Sequence, residues 1–177
     1  ITSELLVSID GQPASLFMDD RFDTWSQQLQ ASDREAYTDL FDAMHAPLLR
    51  YATRLTHEEE AYDIVQEAFA SLWRIRASID TDRSLKSLLY TLVRNEALNQ
   101  RRAMDRRRGR HAEYSPNREP SPSAQVEADA LRSQLKRWID DLPERQREAF
   151  RLSRFNGLSH DEIADVIDIA PRTVTNH

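Results

Sequence analysis

The sequence predicts an all-α protein: two small helical domains joined by a Pro-rich linker, the second a helix-turn-helix domain. Three observations carry this. Only three glycines occur in 177 residues, and few stretches alternate apolar with polar side chains, so sheet is disfavoured. Apolar residues recur at helical spacing on both sides of a single interruption. That interruption, residues 110–127, contains Pro116, Pro120 and Pro122 among Ser, Asn and Glu. Proline lacks a backbone donor and fixes φ, so the segment reads as an extended linker.

Four zones follow. Residues 1–32 form a leader without an assignable role, carrying an amphipathic helix around Leu16–Leu29. Residues 33–109 form the first helical domain, 110–127 the linker, and 128–177 the second domain. The chain opens on Ile rather than Met and stops under two turns into its last expected helix. The expectation is therefore a natural protein that extends further.

In the first domain, Thr56-His57-Glu58-Glu59 has the Thr-x-x-Glu spacing of a capping box. Ala61, Ile64, Val65, Ala68, Leu72 and Ile75 continue with helical period. Tyr62, Phe69 and Trp73 form a second stripe off the first, with Asp63, Gln66 and Glu67 between. A helix apolar on two sides has more to cover than one small core. The bland reading of Phe69 and Trp73 is core packing alone. A further helix is expected over Ser84–Met104, with Leu85, Leu88, Leu89, Leu92 and Val93 on its core side. Asn95, Asn99 and Arg102 stack on one polar face, and Arg94, Leu98 and Arg101 on the next.

In the second domain, Leu142-Pro143-Glu144 starts a helix, proline being favoured in a first turn. The helix runs through Ala149, Phe150 and Leu152 and stops at Asn156-Gly157. Ser159-His160-Asp161-Glu162 is another capping box, opening a short helix with Ile163, Ala164, Val166 and Ile167. After a turn at Asp168-Ile169-Ala170, Pro171 starts a final helix. Short helix, tight turn and second helix make a helix-turn-helix, with Ala164 small at the crossing and Ile163, Ile167, Ile169 and Val174 as its core. Arg172, Thr173, Thr175 and Asn176 then project where a recognition helix meets the major groove. The bland alternative is a helical hairpin used for protein contacts.

Net charge is −6, which by itself argues against a nucleic-acid partner. Its distribution argues the other way. Residues 101–110 hold six arginines against the single Asp105, a local charge of +5. A solvated helix end is the plain alternative for such a run. Cysteine is absent, which excludes disulfides and thiolate metal sites. The five histidines are scattered without metal-ligand spacing, and no phosphate loop or nucleophile elbow is present. No cofactor, no metal and no enzymatic activity are expected. No apolar run reaches membrane-spanning length and no secretory leader is visible, so a cytoplasmic protein is expected.

The chain resembles bacterial RNA polymerase sigma factors of the extracytoplasmic-function (ECF) group over about residues 33–177. Two separate motifs carry the resemblance. Residues Glu60 to Phe69 with Leu72-Trp73 resemble the family's core-polymerase-binding signature. Leu142-Pro143-Glu144-Arg145-Gln146, Gly157-Leu158-Ser159, Glu162-Ile163-Ala164 and Thr173-Val174 resemble its promoter-reading domain. The resemblance implies that Asp63, Ile64, Gln66, Glu67, Phe69 and Trp73 lie on or near the surface docking the β′ clamp helices of core polymerase, with the β subunit also a partner. It implies that Asn95 captures a flipped base of the minus-ten element. It implies further that Asn99, Arg101, Arg102 and Arg106 follow the promoter strand. Arg172, Thr173, Thr175, Asn176 and His177 would begin the minus-thirty-five recognition helix. An anti-sigma factor is an expected partner. Two departures stand out: Ser87 stands near a place where the family often has Trp, and Asp168 where its turn usually has Gly. Asp tolerates positive φ at modest cost.

The function this implies is to bind core polymerase and direct promoter recognition, melting and initiation. The chief alternative is a stand-alone helix-turn-helix regulator binding duplex DNA without polymerase. A helical enzyme lacks a catalytic constellation, and a pure interaction module would not bind promoters.

Overall fold

A computed structural model describes residues 14–108, 134 and 137–169, with side chains from residue 20 to 104 in the first stretch. Among the described residues every regular element is helical. The chain divides into two compact units between Arg101 and Arg102.

The first unit holds α1 (Ala14–Gln30), α2 (Arg34–Ala52), α3 (Glu58–Ile75), a 3-10 turn (Arg76–Ser78) and the start of α4 (Leu85–Arg108). Helix α1 lies in the zone expected to be a separate leader, yet it packs on α2 and on the 3-10 turn. Its Phe22, Trp25 and Leu29 are buried, with Phe22 and Trp25 edge to face at 5.4 Å between ring centroids. The leader reading is corrected accordingly: residues 14–30 belong to the first unit. The spacing of three and four along α1 shows an apolar face, but the sequence does not say what covers it.

The α1–α2 connection is three residues long and fully determined. The Ser32 N–H donates to Leu29 O at 2.8 Å and the Asp33 N–H to Gln28 O at 3.0 Å. This pair of bonds is a Schellman closure, with Ser32 in the left-handed position at φ 63° that glycine usually fills. Asp33 then caps α2, its Oδ1 accepting from the N–H groups of Glu35 and Ala36.

The core of this unit is built from Leu40, Met44, Leu48 and Tyr51 of α2 with Ala61, Ile64, Val65, Ala68, Phe69 and Leu72 of α3. From α4 it takes Leu85, Leu89, Tyr90, Val93 and Ala97. Each fully buried leucine or phenylalanine contributes roughly 1.5–3 kcal/mol by leaving water. On α4, Leu88 and Leu92 are only half-buried, and Tyr90 replaces them, edge to face with Tyr51 at 5.2 Å. Ser87 is buried; its N–H donates to Ser84 Oγ and its Oγ to Ser84 O, closing the start of α4. The expected Thr56 capping box does not form. His57 occupies the N-cap position of α3, and the Thr56 hydroxyl instead donates to the Glu60 carboxylate.

The second unit contains helical residues 137–141, α5 (Glu144–Asn156) and α6 (His160–Ile167). Gly157 ends α5 at φ 61°. Ser159 and Glu162 form the reciprocal capping box expected of them: Glu162 N–H to Ser159 Oγ at 3.2 Å, and Ser159 N–H to Glu162 Oε2 at 2.7 Å. Ile139, Ala149, Leu152, Leu158, Ile163, Ala164, Val166 and Ile167 are buried. Asp140 and Arg151 pair at 3.1 Å across this small core. Asp168 closes α6 at φ 54°, ψ 61°, taking the left-handed turn without glycine.

Candidate functional site

Helix α3 carries the first candidate face. Its buried side points into the unit, leaving Glu59, Asp63, Gln66, Ala70 and Trp73 at spacings of three and four along the opposite side. Asp63 and Gln66 are exposed, and Trp73 is half-buried at the lower end. Glu67 borders this face. It pairs with Arg74, and Ser71 donates to the same carboxylate oxygen at 3.4 Å. The Arg74 hydrogen bond and charge hold the Glu67 carboxyl below its ordinary pKa.

Ile64 and Phe69 do not belong to the exposed face. Ile64 is 0% exposed and Phe69 is 1% exposed. Phe69 is enclosed by α2, with ring centroids 4.7 Å from Phe41 and 6.1 Å from Tyr37. Of the side chains expected on or near the docking surface, these two are therefore not exposed themselves: they hold α3 in place from beneath. Of the second apolar stripe of α3, Phe69 is covered inside the chain, Trp73 is half-buried and Tyr62 stays exposed. Phe41 and His45 line its upper part toward Tyr62, and Tyr37 its lower part. Sequence reasoning missed this because the covering residues lie on α2, some thirty positions earlier.

Trp73 is held on two sides. Tyr37 meets its ring at 5.0 Å between centroids, and the Arg76 guanidinium lies over it at 4.3 Å. Burial pushes the Tyr37 hydroxyl above its usual pKa. Neither Tyr37 nor Arg76 carries a motif signal; their spacing to Trp73 becomes meaningful only in the folded unit.

The second candidate face lies on α4. Asn95, Asn99, Arg101 and Arg102 are all exposed, and Asn95, Asn99 and Arg102 share one side of the helix. Arg94 and Leu98 beside them are half-buried. Helix α4 continues to Arg108, so Arg106 stands on the same helix, its side chain outside the described ones. An exposed amide row followed by arginines offers hydrogen-bond donors and acceptors to bases and cations to phosphates.

Arg172, Thr173, Thr175, Asn176 and His177 lie outside the described residues, as do residues 110–127, expected to form the linker. What is described is the frame before them: α5, the capped α6 and the Asp168 turn. Among the described residues no group of three His, Asp or Glu is placed to hold a metal ion. No described helix is long and apolar enough to cross a membrane.

Comparison with known proteins places these faces in context. Residues 40–107 match the family model of sigma-70 region 2, and residues 132–177 that of sigma-70 region 4. The chain is similar to the ECF RNA polymerase sigma factor SigL of Mycobacterium tuberculosis: 33% identical over 138 residues, covering 76% of this chain and 78% of SigL. It is similar to the RNA polymerase sigma-H factor of Pseudomonas aeruginosa, 28% identical over 163 residues, covering 84% and 83%. Among solved structures it resembles the sigma factor RpoE bound to the anti-sigma factor NepR from Bartonella quintana. There the TM-score is 0.58 at 25% identity, covering 78% of this chain and 86% of that one. The fold also matches CnrH in complex with the cytosolic domain of CnrY, with TM-score 0.61, 20% identity and 89% of both chains covered.

Proposed function

The chain belongs to the ECF group of RNA polymerase sigma factors, and on that premise we propose how its two faces divide the work of initiation. The exposed stripe of α3, with Asp63, Gln66 and Trp73 at its centre and Glu67 at its border, docks core polymerase at the β′ clamp helices. The second unit engages the β subunit and upstream duplex. The observation that supports docking on α3 is that Ile64, Val65, Ala68, Phe69 and Leu72 are buried while Asp63 and Gln66 stay exposed on a stripe ending in the half-buried Trp73.

The amide row of α4 then takes the minus-ten element. Asn95 receives a base turned out of the stack, while Asn99, Arg101, Arg102 and Arg106 follow the strand. Extruding a base costs a few kcal/mol, which binding in single-stranded form offsets. Arg172, Thr173, Thr175, Asn176 and His177 read the minus-thirty-five element. The protein itself catalyses nothing; it works in the cytoplasm by positioning polymerase and DNA. Its net charge of −6 weakens attraction to duplex DNA when polymerase is absent. Because the RpoE structure holds an anti-sigma factor, control of this chain by such a partner, covering the same faces, is part of the proposal.

The test is co-elution of the full chain with bacterial core RNA polymerase, wild type against a Gln66→Ala/Trp73→Ala variant. A wild-type complex that weakens in the variant is expected. A well-folded wild type that forms no complex, yet binds duplex DNA alone, would move the assignment to a stand-alone regulator.

A further inference from the structure

The lower end of the α3 face is tied down by one side chain. Arg76 lies just past the last residue of α3 and makes three contacts at once. Its guanidinium carbon is 4.3 Å from the Trp73 ring centroid. Its Nη1 donates to the Trp73 carbonyl oxygen at 2.7 Å. Its Nε donates to Ser32 Oγ at 2.9 Å, forty-four positions back in the chain.

Ser32 is the residue at φ 63° in the α1–α2 turn. Glycine would take that conformation without the steric penalty a Cβ brings. It would also remove the hydroxyl that anchors Arg76. The strained serine and the arginine stacked on the tryptophan therefore form one unit, and neither contact alone accounts for both.

We propose that Arg76 is a positioning residue for polymerase docking. It fixes the Trp73 indole against Tyr37 and fastens that end of the docking stripe to the α1–α2 turn. The proposal rests on the docking role given to Trp73 above. It extends that role to Arg76 and Ser32, which lie outside the α3 stripe. The geometry calls for a planar fork: one face stacks while two edges donate in different directions. A lysine ammonium supplies a point charge and cannot meet all three demands. Helix α1, which contributes no residue to the α3 stripe, thereby influences docking through the turn that ends it.

The test measures affinity of the full chain for core RNA polymerase. The variants are Trp73→Ala, Arg76→Ala, Arg76→Lys, Ser32→Gly and the Trp73→Ala/Arg76→Ala double. Arg76→Ala and Ser32→Gly are each expected to weaken binding about two- to five-fold, the scale of a cation–π contact at a half-exposed site. Arg76→Lys should not restore it, and in the Trp73→Ala background Arg76→Ala should add nothing. Fluorotryptophan labelling gives a readout without polymerase. The Trp73 resonance should shift in Arg76→Ala and in Ser32→Gly, while that of Trp138 stays in place. Multiplying effects in the double variant, full rescue by lysine, or an unmoved Trp73 resonance would overturn the positioning role while leaving docking through α3 intact. A wild-type chain that binds no polymerase would overturn the docking assignment, and this proposal with it.

Discussion

Phe69 and Gln66 lie three positions apart on α3, and replacing each with alanine should produce opposite kinds of defect. Phe69 is 1% exposed and meets Phe41 and Tyr37. Removing its ring forfeits the transfer energy of the side chain and leaves a cavity, together ~3–5 kcal/mol. A domain of this size has only about 5–10 kcal/mol in all. With ordinary denaturant sensitivity the unfolding midpoint of the first unit should fall by about 2 M urea. Gln66 is exposed and has no place in the core, so its replacement should change stability by less than about 0.5 kcal/mol. Polymerase affinity should nonetheless drop in the Gln66 variant. The assay is urea unfolding followed by circular dichroism, run beside polymerase co-elution on the same preparations. If Phe69→Ala unfolds within about 0.5 kcal/mol of wild type and still loses polymerase, the burial argument fails, and Phe69 is a contact residue after all.

Three further outcomes are expected. Asp168→Gly relieves a left-handed non-glycine residue and should stabilise the second unit by about 0.5–1 kcal/mol, seen as a rise of a few degrees in its melting temperature. Arg74→Ala should move the Glu67 titration, followed by carboxyl NMR, up toward the ordinary glutamate range. In wild type the depressed value means the pairing is fully present above that range and is lost only as pH falls through the lowered folded value. Arg102→Ala should weaken promoter binding of the polymerase complex uniformly across sequences and reduce its salt dependence by about one counterion, measured as the slope of log affinity against log salt.

Much of this fold was legible from local chemistry. The Ser159–Glu162 box, the Gly157 stop and the Asp168 turn each depend on residues within a few positions of one another, and each forms as its spacing dictates. The misreadings have one local and one long-range cause. The Thr56 spacing fits a cap as well as the one at Ser159, but its hydroxyl finds the Glu60 carboxylate and the helix begins one residue later. The second stripe of α3 was visible, but Tyr37, Phe41 and His45, which line it, are separated from it by a loop and most of a helix. Of the candidate site, the exposed positions Asp63, Gln66, Asn95 and Asn99 could be read from helical phase. The role of Arg76 could not, since it depends on a serine on another turn.

Helix α4 puts its anchoring residues and its amide row on one continuous rod of 24 residues, about 36 Å long. Leu85, Leu89 and Val93 fix its rotation in the core, so the direction in which Asn95 and Asn99 point is a matter of phase. One residue inserted between Val93 and Asn95 would swing the row by about 100° while moving it only about 1.5 Å along the axis. An insertion of four would bring it nearly back into line, displaced by about one turn. What locks the amide row to the body of the protein is angular register, which a whole added turn disturbs far less than a single added residue.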